Sequence, residues 1–244
     1  MTGAIVAIPA RLAASRLPDK PLADIHGEPM IVHVWRRAME ADVGPVVVAC
    51  GDQEIVDVII EAGGNAVMTD PNHPSGSDRI FEAVERSDPD GKYDTVINLQ
   101  GDLPTIDPKV VRAALDPLGD PGVDISTLVA VIRSERERVE PSVVKCILSL
   151  PEGKTIGRAL YFSRVAAPSG DGDLYHHIGI YGYRRDALAR FVKLPRGVLE
   201  VREKLEQLRA LEAGMRIDAA VVDAVPLGVD TPDDLEIIRG LLTR

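Results

Sequence analysis

The strongest constraint on this chain is the rhythm of its first half. Short apolar runs at 4–9, 45–50, 65–68 and 94–99 alternate with segments of helical periodicity near 29–41, 53–62, 77–87 and 107–117. Strands this short and this apolar are buried on both faces. In a strand–helix series that means parallel pairing, with helices covering the sheet. The crossovers should be right-handed. The first half therefore predicts a Rossmann-like, doubly wound α/β sheet. The second half is less regular. Runs at 124–132, 143–150, 158–163, 177–184 and 216–222 read as strands of a smaller mixed, partly antiparallel extension. A helix is expected over 198–213, and a last one over 231–243 with Thr231 as its cap and Pro232 at its first position.

Composition narrows the function classes. Aromatic residues are only 4%, so Val, Ile, Leu and Ala must build the core. The net charge of -10 argues against a nucleic-acid partner, which calls for a basic stripe. It leaves room for a local cationic pocket. Cys50 and Cys146 form neither a disulfide framework nor a CxxC pair, which suggests a reducing compartment. No leader pattern opens the sequence, and no apolar run approaches the roughly 20 residues of a membrane helix. The expectation is a cytoplasmic protein with no membrane partner.

Familiar cofactor motifs are missing. GKT at 153–155 resembles the end of a P-loop, but Leu148 stands where that loop needs glycine. There is no GxGxxG, HExxH or GxSxG. His26, His33, His73, His176 and His177 show no zinc spacing with cysteine. His33, between Ile, Val and Trp35, reads as a packing residue.

What remains lies at strand ends. Ligands of open α/β sheets bind outside the carboxyl ends of the strands. Arg11 follows the first strand by two residues, and Arg16 and Lys20 come shortly after. Cations and backbone N–H groups in such a loop suit a polyphosphate. Asp102, in VINLQGDLP, projects from the end of the fourth run, where a carboxylate can hold Mg²⁺ or simply turn the chain beside Gly101. On local grounds Asp230 in GVDTPDDLE reads as helix-start chemistry, and Ser75-Gly76 as a helix cap. Arg164 and His177 read as structural strand-end residues. Along 199–209, Glu200, Glu203 and Gln207 form a polar stripe opposite Val198, Val201, Leu205 and Leu208, which reads as a solvated helix face.

Together these segments resemble the CMP-Kdo synthetase (3-deoxy-manno-octulosonate cytidylyltransferase) family. IPARLAASRLPDKPL, MIVHV, GDQEIVDV, HPSGSDRI, NLQGD, LYFSR, HIGIYGYR, LEVREKLEQLR and GVDTPDDLE follow in the family's order over nearly the whole chain. The resemblance implies the fold of nucleotide-diphospho-sugar transferases. It implies a single domain, with 1–122 mainly binding nucleotide and 123–244 mainly serving sugar binding and dimerisation. The implied reaction joins CTP and Kdo to give CMP-Kdo and pyrophosphate, for lipopolysaccharide. By the same resemblance Arg11 and Lys20 neutralise the triphosphate, with Arg16 as a further contact. Ala10, Ser75, Gly76 and Arg79 complete the nucleotide site, and Asp102 and Asp230 hold Mg²⁺. Gln100, Arg164, His177, Glu200, Glu203 and Gln207 fall on the sugar side. The catalytic set is Arg11, Lys20 and Asp102, and the family pattern implies a homodimer.

Some positions depart from the family. Asp19 stands where glycine is usual, beside Lys20. Leu103 replaces an acidic residue, Pro74 a glutamine, and Ser169 a tryptophan; the link between LYFSR and HIGIYGYR is short. Two other readings compete. One is a cytidylyltransferase for another acidic sugar, such as a sialic acid or 8-amino-Kdo. The other is a nucleotide-binding module without turnover.

Overall fold

The computed structural model describes residues 3–13 and 17–242. The chain divides into two compact units: residues 1–112 with 226–244, and residues 113–225.

In the first unit, β1 (Ala4–Ala10) leads through a short hairpin of β2 (Asp24–Ile25) and β3 (Glu28–Pro29) into α1 (Met30–Glu40). Then come β4 (Val46–Cys50), α2 (Gln53–Glu61), β5 (Asn65–Met68), α3 (Gly76–Ser87), β6 (Thr95–Asn98) and α4 (Pro108–Ala113). The strands lie in the order β5-β4-β1-β6, all parallel where they pair. β4 is buried at every position and β1 at all but one, as strands covered on both faces must be. The expected alternation is present, with boundaries shifted by a residue or two. The expected helix at 107–117 is shorter: α4 ends at Ala113, and a 3₁₀ turn at Asp116–Gly119 brings Pro117 into its first turn.

A small apolar cluster of Ile25, Met30, Val229, Leu235 and Ile238 seats the C-terminal helix Pro232–Leu241, with Ala23 packed against it. Thr231 caps that helix reciprocally. Its Oγ1 accepts from the Asp234 N–H at 3.2 Å, and Asp234 Oδ2 accepts from the Thr231 N–H at 2.8 Å. The cluster joins the chain next to Lys20 to the chain next to Asp230.

The second unit holds β7 (Ile125–Val131), α5 (Glu135–Val139), β8 (Lys145–Ser149), β9 (Ile156–Ser163), β10 (Tyr175–Arg184), α6 (Arg185–Phe191), α7 (Val198–Glu203), α8 (Leu208–Glu212) and β11 (Ile217–Val222). Its strands run β10-β7-β11-β9-β8, mixed in direction, and β8 also pairs back to β10. The mixed extension expected from the sequence is present; α5 and α6 were not expected.

The single helix expected over 198–213 is corrected to two. Lys204 takes a left-handed conformation, φ 57°, which ends α7 before α8 begins at Leu208. The faces are corrected in part: Leu205 and Leu208 are buried as expected, but the rest of the pattern is not kept. Val198 is 78% exposed and Val201 53%, whereas Glu200 and Gln207 are buried at 3% and 6%. A salt bridge from Glu200 to Arg209 explains the burial of Glu200, because a buried carboxylate with a bidentate partner can take an interior position.

Candidate active site

The carboxyl ends of β1 and β6 carry the first group of residues. Pro9, Ala10, Arg11 and Gln100 face Ser75, Gly76 and Arg79 from the start of α3 across one cleft, which His73 completes. The Ser75 side chain caps α3 by accepting from the Asp78 N–H at 3.2 Å. The structure thus brings together Ala10, Arg11, Ser75, Gly76 and Arg79, the residues expected around a nucleotide. Gln100, expected on the sugar side, lies with them; its Nε2 donates to Asn98 Oδ1 at 3.2 Å.

Arg79 is 2% exposed. It donates to Thr69 Oγ1 at 2.7 Å and to the Pro71 carbonyl at 3.3 Å, and among the described residues no carboxylate pairs with it. Burial, and then the neighbouring Arg11, push its pKa below the ordinary arginine value. Two cations therefore face one cleft; Asp52 and Glu82 lie near enough to act on Arg79 but neither forms an ion pair with it, which leaves the cations suited to a ligand rich in oxygen acceptors. Gly51 makes the approach possible, since a Cβ there would lie 2.9 Å from Arg79 Nη1 and 3.2 Å from Arg11 Cβ. Behind Arg11 the loop is anchored by the Leu12 N–H donating to Asp52 Oδ2 at 2.8 Å.

His73 pairs with Glu82 of α3, and the same carboxylate oxygen accepts from the Asp70 N–H at 3.0 Å. Burial raises the Glu82 pKa, but Asp70, His73 and Arg86 together hold it below the usual carboxylate value. Sequence reasoning missed His73 as part of the cleft and Glu82 as the residue that holds it. The nine-residue separation of His73 and Glu82 carries no periodic signal.

The second group in this unit is a cation between two carboxylates. Lys20 Nζ donates to Asp102 Oδ2 at 2.8 Å and to Asp230 Oδ1 at 3.1 Å. Burial alone would lower the Lys20 pKa; Asp102 and Asp230 outweigh it, so the ammonium is held above its ordinary value. The two acidic loops are tied by the Val229 N–H donating to the Asp102 carbonyl at 3.0 Å. Gly101 lets the Asp102 loop lie against β1, since a Cβ there would meet the Pro9 carbonyl oxygen at 2.8 Å. Asp19 has φ 53°, a left-handed turn that aspartate tolerates in place of glycine. It is exposed, while Lys20 turns to Asp102 and Asp230. Arg16 lies outside the described residues.

Among the described residues no group of three or more His, Cys, Asp or Glu converges as a metal site. Asp102 and Asp230 nevertheless meet one cation together, and carboxylate oxygens are the donors Mg²⁺ prefers. The ammonium stands in for a metal ion here, and the pair fits a cation that takes its remaining ligands from substrate phosphates and water.

The residues expected on the sugar side lie in the second unit, apart from Gln100. Arg164, at the end of β9, donates to the carbonyls of Glu203 at 2.8 Å and Pro141 at 3.1 Å. Its own N–H reaches Glu203 Oε2 at 3.4 Å, and Tyr161 Oη reaches Glu203 Oε1 at 3.4 Å. Glu200 accepts from Arg209 Nε and Nη2, both at 2.8 Å, and from the Gly197 N–H at 3.0 Å. The Arg209 bonds lead in lowering its pKa to about 2. His177 stands 3.0 Å from Thr127 Oγ1 and edge-on to Phe162; burial, then His176, drive its pKa down to about 3. It is therefore a neutral ring at physiological pH. Gln207 is buried, and its Nε2 has no hydrogen-bond partner.

The family model described as cytidylyltransferase matches residues 5–217. A 3-deoxy-manno-octulosonate cytidylyltransferase of Paramagnetospirillum magneticum is 63% identical over 98% of this chain and 97% of its own length. One from Rhodospirillum centenum is 66% identical over 98% of this chain and 93% of its own. Among solved structures, a CMP:2-keto-3-deoxy-manno-octonic acid synthetase complexed with CTP superposes with a TM-score of 0.90 at 41% identity, covering 98% of both chains. A four-stranded parallel sheet with a cationic cleft at its carboxyl edge, and full-length likeness at this identity, lead to one assignment: the chain belongs to the cytidylyltransferase family.

Proposed function

We propose that this chain transfers CMP from CTP to the anomeric hydroxyl of 3-deoxy-D-manno-octulosonate (Kdo), releasing pyrophosphate and giving CMP-Kdo for lipopolysaccharide biosynthesis. The observation that carries the reading is the shared cation of Asp102 and Asp230 in the same unit as the Arg11–Arg79 cleft. The choice of sugar is supported by relatives named for that activity over 98% of the chain.

In the reaction the anomeric oxygen of Kdo forms a bond to the α-phosphorus, the bond from that phosphorus to the β-phosphate bridge breaks, and the hydroxyl proton leaves to solvent. Arg11, Arg79, Ala10, Ser75 and Gly76 hold the nucleotide, and Lys20 balances charge on the phosphates. Fixed cations in a partly dry cleft stabilise the developing charge without reorganising. Asp102 and Asp230 hold the divalent ion, Mg²⁺ in this reading. When bound, it supplies charge neutralisation and lowers the pKa of the attacking hydroxyl. His177 is unsuited to act as a general base, because a ring with a pKa of about 3 carries little driving force for taking a proton at neutral pH.

Arg164, Glu203 and Gln207 serve the sugar acid, with Gln207 Nε2 as an unused donor for a hydroxyl or carboxylate. Glu200, held by Arg209, and His177, beside Thr127, belong to the same unit. The chain works in the cytoplasm in this reading; among the described residues no helix is long and apolar enough to cross a membrane. It assembles as a homodimer through the second unit, where Leu160, Val165, Val198 and Val201 are all more than half exposed. Sedimentation at micromolar concentration tests the dimer.

The test of function is pyrophosphate release from CTP and Mg²⁺ with Kdo, run beside N-acetylneuraminic acid and 8-amino-Kdo. The reading expects Kdo to be strongly preferred. Preference for either alternative would keep the chemistry and replace the sugar.

A further inference from the structure

Lys20 and a divalent cation cannot occupy the same place. The Lys20 ammonium sits 2.8 Å from Asp102 and 3.1 Å from Asp230, the two carboxylates assigned above to the metal. A cation ligated by those oxygens would fall within contact distance of the ammonium, and the two positive charges would repel. The lysine has somewhere to go: its stem is long and flexible, and Asp230 leaves the pair open to solvent at 49% exposure. A polyphosphate is the ligand with enough negative charge to draw the ammonium off.

We propose that Lys20 is an internal counter-ion that competes with the divalent cation for Asp102 and Asp230, and that a nucleoside triphosphate, by recruiting the Lys20 ammonium, frees the carboxylate pair. The proposal rests on the metal reading of those carboxylates. It goes further by making metal and nucleotide binding positively coupled through one side chain. Linkage requires the coupling to be reciprocal: whatever factor the nucleotide adds to metal affinity, the metal adds to nucleotide affinity.

The experiment is Mn²⁺ binding without nucleotide, followed by the electron paramagnetic resonance signal of the free ion. Wild type, Lys20→Met and Lys20→Gln are compared, with Arg11→Met as the control for losing a positive charge elsewhere in the unit. Either Lys20 variant should bind Mn²⁺ about tenfold tighter than wild type, and Arg11→Met less than about twofold tighter, since a screened charge that does not sit between the carboxylates has little leverage. Adding Asp102→Asn to the Lys20→Met protein should abolish the gain.

Unchanged or weaker Mn²⁺ binding in folded Lys20 variants would overturn the proposal. If Asp102→Asn also lowers metal affinity in wild type, the metal reading survives that failure. A gain that persists with Asp102→Asn would place the metal elsewhere and overturn both. A second arm uses no metal. In EDTA, Asp102→Asn with Asp230→Asn should tighten CTP binding in wild type by calorimetry, because Lys20 is released to the phosphates. The tightening should shrink in the Lys20→Met background. Equal tightening in both backgrounds would count against the lysine as the coupling element.

Discussion

Gly101→Ala is a one-methyl test of how the metal-side loop is positioned. The added Cβ would lie 2.8 Å from the Pro9 carbonyl oxygen, 3.2 Å from Ile31 Cδ1 and 3.6 Å from Ile8 Cγ2. Ile31 can rotate its terminal methyl away. The Pro9 carbonyl cannot yield so easily, because it belongs to β1, which is paired on one side with β4 and on the other with β6. Ordinary carbon–oxygen contact is near 3.4 Å, so the Gly101 backbone must retreat by about 0.6 Å. It carries Gln100 and Asp102 with it. Overpacking of this kind costs about 1–3 kcal/mol in stability. A displacement approaching 1 Å at a reacting group can cost about 100-fold in rate. The expected result is a loss of about 10- to 100-fold in kcat for pyrophosphate release with a smaller rise in the KM for CTP, since the Arg11–Arg79 cleft stays in place. Steady-state kinetics and thermal unfolding read the two effects. Wild-type kcat with wild-type Tm would refute the close-approach argument.

Other perturbations separate stability from activity. Arg209→Met leaves the buried Glu200 carboxylate only the exposed Arg196, at 3.2 Å, and the Gly197 N–H, and should cost up to about 3 kcal/mol by urea unfolding; the Arg209–Glu200 double variant to apolar residues should recover much of that. His177 binds a proton in the unfolded chain below about 6.5 but in the folded chain only below about 3, so protons favour unfolding and stability is lost as pH falls from 6.5 towards 3. His177→Phe should therefore flatten the stability–pH curve near pH 5 by up to about 1.4 kcal/mol per pH unit. For Glu200, lowered to about 2, the contribution is present above its unfolded pKa and disappears as pH drops through 2, so Glu200→Gln should alter the curve only at more acid pH. Arg79→Met removes a buried cation that no described carboxylate pairs. It should raise the KM for CTP at least about tenfold while costing no more than about 2 kcal/mol, the worth of the donors lost to Thr69 and Pro71.

The parts of the fold that could be read in advance were those in which one residue type dominates a short window. β1 and β4 were legible because Val, Ile and Ala fill them, and the C-terminal helix because Thr231 and Pro232 mark its start. The break at Lys204 was not legible, because lysine ordinarily continues a helix and its left-handed φ is imposed by the surrounding structure. Nor was the burial of Glu200 legible, since its partner Arg209 lies beyond any helical repeat and across that break. Local spacing gave Asp230 to helix capping, and in the structure the adjoining Thr231 and Asp234 do cap the helix. Its meeting with Lys20 spans 210 residues beside the Ile25–Val229–Ile238 cluster, so spacing could not show it, and the family resemblance pointed only to Asp230 as a metal ligand. The Gly51 and Gly101 approaches have no sequence signature at all; they follow from which backbone lies opposite each glycine.

The central claim is that this chain joins CMP to a sugar acid rather than merely binding or hydrolysing CTP. The direct measurement is ³¹P nuclear magnetic resonance of CTP, Kdo and Mg²⁺ with catalytic protein, using inorganic pyrophosphatase-free conditions. The account predicts one new phosphodiester resonance appearing in step with pyrophosphate, one for one, and neither forming when Kdo is left out. Pyrophosphate accompanied by free CMP, or CTP bound and unchanged with Kdo present, would contradict it.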